Sequence, residues 1–190
     1  MKRIAFALVS VLILTLALCP AQQLPSSTFC VVDSLIRPAN GTQYGAGDAV
    51  NDSTTSVTKV LVFKNIPSNY GGDGFITMAR IALDTNNVTT ATFRLYLFDD
   101  STGITRIADN SAYTLLAASV QHLIGYLDFG TPITGGTGST LVTNEIVNQG
   151  FRFQTKSSSR DLYGTLVALG AYTPKWNGKI WVYLSGTRYN

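Results

Sequence analysis

The chain has 190 residues, of which only 13% are charged and 17 are glycine. Its 14 basic and 11 acidic residues become 12 and 11 once Lys2 and Arg3 are set aside, a body charge of +1. That near-neutral balance excludes the clustered Lys and Arg of a nucleic-acid-binding face. The shortage of charge also excludes long helices with solvated faces and favours short strands joined by polar turns.

Met1 to Ala21 has the parts of an export signal. Lys2 and Arg3 form a positive start, Ile4 to Leu18 is apolar or small throughout, and Cys19-Pro20-Ala21 offers a cleavage point. The apolar run is shorter than the roughly 20 residues that span a bilayer, so membrane association is expected only through this segment if it is retained. Cleavage after Ala21 leaves Cys30 as the single cysteine. Beside Phe29, Val31 and Val32 it reads as a small core residue, the alternative being an intermolecular disulfide.

Residues 22–28 read as a polar linker and residues 29–190 as one domain. Phe29 to Ile36 is the first expected strand, closed by Pro38-Ala39-Asn40-Gly41. Tyr44 to Val50 is glycine-rich and then briefly extended. Val57 to Lys64 is apolar on both sides at Val60 to Phe63, the pattern of a strand buried on both faces. In Phe75 to Leu83 simple alternation puts Phe75, Ile81 and Leu83 on one face and Ile76 and Met78 on the other. Thr92 to Asp100 alternates most cleanly. Phe93, Leu95 and Leu97 are expected in a core, and Thr92, Arg94 and Tyr96 on a wetter face. Asp99 to Gly103 then supplies turn chemistry.

Ala112 to Val120 is the one helix candidate, with Asn110 or Ser111 as its cap. Strands follow at Leu123 to Phe129, Thr140 to Val147, Phe151 to Thr155, Asp161 to Leu169 and Lys179 to Thr187. Turn regions lie at Thr131 to Ser139 and Gly170 to Gly178. Short strands at this spacing, without alternating helices, predict an all-β fold. The expectation is an antiparallel two-sheet β-sandwich of jelly-roll type, with at most one short helix.

No residue pattern carries a catalytic mechanism. His122 is the single histidine, stands just before an apolar strand and has no Gly-x-Ser-x-Gly partner, so it reads as a strand-end residue. One histidine and one mature cysteine do not fill a structural zinc site. Asp73, Asp84, Asp99, Asp100, Asp128 and Asp161 fall at strand ends and loops, where turn formation accounts for them. No catalytic, metal or cofactor residues are therefore expected. Asn40, Asn51 and Asn87 begin glycosylation acceptor sequences, which chance alone supplies in so Asn- and Thr-rich a chain.

The aromatic residues are the more informative group. In Lys179 to Thr187 the residues Ile180, Val182 and Leu184 share one face, and Trp181 and Tyr183 share the other. If the aliphatic face is core, the two aromatics lie outside it as a contact surface for a protein partner or for sugar rings. Tyr70, Tyr172 and Trp176 are loop aromatics read as part of the same contact surface.

Several phrases in order carry a resemblance. They are Arg37-Pro38-Ala39-Asn40, Thr42 to Val50, Phe93 to Asp99, Ala108 to Tyr113, Ile124 to Gly130, Leu162 to Val167 and Ala171-Tyr172-Thr173-Pro174. From about Leu35 onward the chain resembles a family of small tailed-phage proteins thought to be virion components. The resemblance implies a non-enzymatic structural β-sandwich, a capsid decoration or appendage subunit. Its implied partners are copies of itself and a capsid or tail protein, and its implied location is the virion. The leader-like segment lies outside the resemblance. It keeps open an exported binding module for polysaccharide or a cell surface.

Overall fold

The computed structural model describes residues 26–55, 59–84, 91–134 and 141–189. The leader-like segment, Cys19 and Asn87 lie outside these residues. The regular structure of the described chain is almost entirely strand, with loops between the strands. In order come β1 (Ser26–Ile36), β2 (Ala49–Val50), β3 (Leu61–Phe63), β4 (Asp73–Asp84) and β5 (Phe93–Phe98). A single helical turn, α1 (Ala117–Val120), precedes β6 (Leu123–Phe129), β7 (Ile133–Thr134), β8 (Leu141–Gln154), β9 (Leu162–Ala168) and β10 (Lys179–Tyr189).

Two antiparallel sheets face each other. One has the order β1-β10-β4-β8-β7, and the other β2-β9-β5-β6 with β3 also paired to β9. β2 and β3 both run along β9, at Val167–Leu166 and Gly164–Leu162, so they act as one interrupted strand. Counting them as one, and β7 as a flank, gives eight strands that cross repeatedly between the sheets, the two interlocked Greek keys of a jelly roll.

Alternation explains the core. Phe93, Leu95 and Leu97 of β5 are fully buried, and Arg94 and Tyr96 between them are half-buried. Ile180, Val182 and Leu184 of β10 face the same core from the opposite sheet. The corner between the sheets is tied by one carboxylate. Asp33 of β1 accepts from the Val62 backbone N–H at 2.8 Å and from Lys59 Nζ at 2.8 Å.

Five local expectations need correction. β1 begins at Ser26, inside the stretch read as linker. Cys30 is exposed, because it lies on the outer side of β1 while Phe29 turns inward. Ala112 to Val120 is not a helix of two or three turns. Only its last four residues are helical, and Leu116, with no side-chain cap bond, stands at the N-cap. Asn110 instead takes a positive φ of 60° and Ala112 bridges to Asp48, so this segment is held as a crossing strand-like loop. The two strands expected at 140–147 and 151–155 are one, β8, whose ladder with β4 jumps from Val147 to Phe151.

The fifth correction concerns β4. Met78 pairs with Ser185 but Ile76 pairs with Gly186, which leaves Thr77 as a bulge residue. A bulge shifts the inward parity by one. Ile76 therefore joins Ala79, Ile81 and Leu83 in the core, while Phe75 is only half-buried against Tyr189. Strict alternation assigned Phe75 and Ile76 to the wrong faces.

Candidate functional site

Because β10 turns its aliphatic side inward, Trp181 and Tyr183 point out of the first sheet. Their neighbours follow from register. Tyr183 lies between Val32 of β1 and Arg80 of β4, and Trp181 between Ser34 and Ala82. Val32 and Ile36 are about half exposed, at 50% and 54%. The aromatic rings are half-buried because cations lie over them. The Arg80 guanidinium sits 4.2 Å from the Tyr183 ring centroid, and Lys179 Nζ sits 5.1 Å from that of Trp181. The result is an apolar strip across the edge strand β1 and its neighbour β10 on an outer sheet face, with cations over its rings.

The other outer face is treated differently. Tyr96 and Tyr126 stand on it, with Arg94 3.9 Å above Tyr126 and held by Asp128 at 2.6 Å. Here the chain covers itself. The segment after β5 crosses back, Tyr113 stacks on Tyr96 at 5.0 Å, and its N–H donates to the Gly47 carbonyl at 2.8 Å. Burial pushes the Tyr113 hydroxyl up to a pKa of about 12. Tyr96 was legible as a wetter-face residue, but the alternation of β5 carried no sign that a distant tyrosine would cover it.

The remaining aromatics separate. Trp176 is 66% exposed in the turn before β10, leaning over Gly41. Tyr70 is 70% exposed in the loop before β4, at the sheet end where Gly74 pairs with Arg188. Tyr172 is only 4% exposed and is corrected from contact residue to core. It stacks on Tyr44 at 4.7 Å and meets the edge of Phe93 at 5.3 Å. The five residues therefore form no single surface. Only Trp181 and Tyr183 share one.

Tyr172 belongs to a buried polar cluster that the sequence phrases did not announce. Arg37 Nη2 donates to Asp109 Oδ2 at 2.7 Å, and Arg37 Nε donates to the Tyr44 hydroxyl oxygen. The Tyr44 hydroxyl donates to Asp109 Oδ1, as does the Asn51 backbone N–H at 2.8 Å. The Arg37 and Asp109 side chains are 1% and 0% exposed. Burial lowers the Arg37 pKa, but the Asp109 bond and the nearby charges outweigh it and the net shift is upward. Burial is also the main reason the Tyr44 and Tyr172 hydroxyls are shifted up. The phrases containing Arg37, Tyr44, Asp109 and Tyr172 thus meet at one internal lock, which joins four separate chain segments at one end of the sandwich.

His122 sits at a strand end. Its Nδ1 is 2.9 Å from Asp99 Oδ1, and the Asp99 N–H donates to the His122 carbonyl at 3.0 Å. No group of three His, Cys, Asp or Glu side chains among the described residues is placed to hold a metal ion. Asn51 is buried and its side-chain amide donates to the Ile107 carbonyl at 3.3 Å, so it is no surface acceptor for a glycan.

No protein-family model and no curated protein sequence matches the chain. Among solved structures it is similar to the capsid asymmetric unit of cyanophage Pam1, at 14% identity over 90% of this chain and 91% of that one, with a TM-score of 0.34. It is also similar to Desmodium yellow mottle tymovirus, at 12% identity over 91% and 93% of the two chains, with a TM-score of 0.30. The 60-mer BFDV capsid protein gives 12% identity over 87% and 94%, with a TM-score of 0.33. The order of strands within each sheet defines the jelly roll in its own right.

Proposed function

We propose that the chain is a non-enzymatic virion structural protein of a tailed phage, a capsid decoration or appendage subunit. The ordered phrases from Arg37 to Pro174 support the family reading. The observation that carries the mechanism is the difference between the two outer faces. On the second sheet the crossing segment covers Tyr96 and leaves Tyr126 49% exposed, whereas Val32, Ile36, Trp181 and Tyr183 form a strip on the first with no covering segment among the described residues. Function on this reading is burial of that strip against copies of the chain or a shell protein. Many weak contacts of this kind gain strength by repetition.

Mass spectrometry of purified particles tests the reading directly. The chain is expected among the particle proteins at a copy number that matches a shell or tail symmetry. Particles assembled with Trp181→Ala are expected to lose it while the soluble domain keeps its fold. Absence of the chain from purified particles overturns the proposal.

A further inference from the structure

A second candidate site lies at the sandwich end that holds Tyr70, away from the strip just described. Three segments build it: the loop after β3, the turn after β5 and the loop between β8 and β9. They enclose an open, mostly polar cavity of about 360 Å³, within the range of about 300–1,000 Å³ of small-molecule clefts.

The loops are fixed before any ligand arrives. The Ile66 N–H donates to the Arg160 carbonyl at 2.9 Å, and the Gly71 N–H to the Ser159 carbonyl at 3.1 Å. Arg188 reaches over from β10 and donates through Nη1 to the Asn65 and Ile66 carbonyls at 3.2 and 3.0 Å. Gly71 takes a φ of +68°, and a Cβ there would come within 3.0 Å of the Ser157 Cα, so the close approach of the two loops requires glycine.

Within this frame several polar groups keep bonding capacity. Asp100 is taken up by Lys156 and by the Thr102 N–H. Asp161, in contrast, uses Oδ1 for the Asn65 N–H at 2.8 Å and leaves Oδ2 without a partner among the described residues. Among the described residues Arg160 donates only its Nε, to the Pro67 carbonyl at 3.2 Å, which leaves both terminal nitrogens open to a ligand. Both residues line the cavity, which therefore presents a carboxylate acceptor and guanidinium donors to whatever enters it. Tyr70 adds a flat apolar ring that is 70% exposed on the cavity rim.

We propose that this cavity is a saccharide-binding site for a neutral hexopyranose unit of a surface polysaccharide. Tyr70 stacks on the ring, and a vicinal diol donates to Asp161 and accepts from Arg160. The paired charge of Asp100 and Lys156 leaves the cavity without strong net charge, which suits a neutral sugar over a uronic acid. The site goes beyond the structural role above and does not depend on it, because none of its residues lies on the Trp181 strip.

The test is an array of bacterial and plant polysaccharides probed with the purified chain, followed by titration calorimetry with the best neutral oligosaccharide. Binding to neutral glycans is expected, with a loss of tenfold or more in both Tyr70→Ala and Asp161→Asn and no change in Trp181→Ala. Thermal melts of each variant establish that the fold is kept. The proposal is overturned if no neutral glycan binds, if only acidic glycans bind, or if binding survives in folded Tyr70→Ala. Loss in Trp181→Ala alone also overturns it, since that places the sugar on the outer sheet face.

Discussion

Arg37 and Asp109 set the hardest constraint on single residues. Removing one partner of a buried ion pair leaves the other charge uncompensated, at a cost of about 3–5 kcal/mol. Arg37→Ala and Asp109→Ala are each expected to lower stability by about that amount, read as a fall in the urea midpoint. Replacing both with apolar residues does not restore it. The Tyr44 hydroxyl and the Asn51 N–H would then lose the acceptor they share. Asp100 makes a separate, pH-dependent contribution. The Lys156 ammonium, and then the Thr102 N–H, hold its pKa at about 2 against an ordinary 3.8. A carboxylate held below its unfolded value stabilises the fold above that value, and the contribution fades as pH falls toward the folded one. Asp100→Asn should therefore flatten the stability profile between pH 3.8 and about 2, a change that denaturant titrations across that range would register.

At the scale of elements, the β4 bulge decides which residues reach the core. Phe75 and Ile76 exchange roles there, and Gly186 is the position that allows it. A Cβ on Gly186 would stand 1.9 Å from the Phe75 carbonyl oxygen, where only backbone is available to give way. Gly186→Ala is expected to cost at least the roughly 1–3 kcal/mol typical of overpacking. A change in the Ile76 methyl resonances in NMR spectra is expected to accompany it. No periodicity announced the bulge, because the extra residue, Thr77, is an ordinary strand former. The short helix failed for a related reason. Ala112 to Val120 has adequate local propensity, yet the Asp48 bridge and the Tyr113 stack hold its first half extended. Tertiary contacts outweigh a preference this weak in so short a segment.

For the whole molecule, the fold class was legible and the surface roles were only partly so. Clean alternation at Phe93 to Leu97 and Ile180 to Leu184 names the inner residues of two facing sheets, and the structure buries all six. The same alternation places Trp181 and Tyr183 outward. It says nothing about loops, so buried Tyr172 and exposed Trp176 looked alike. The Arg37 cluster was hidden because its members lie far apart in sequence, Arg37 and Asp109 being 72 positions apart. Inner and outer faces should respond differently to truncation. Leu95→Ala is expected to cost about 2–5 kcal/mol. Trp181→Ala should leave the melting temperature nearly unchanged and reduce association instead, which calorimetry together with sedimentation would separate.

β1 and β10 are neighbours along their whole length, and Ser26 lies directly across from Tyr189. A tether before β1 and a load after β10 would therefore pull at the same corner, at right angles to the strands. Under tension the rungs of this ladder open one after another, as in a zipper, and not all at once as in shear. Force spectroscopy through these two positions should find a mechanically soft domain, whatever its resistance to heat.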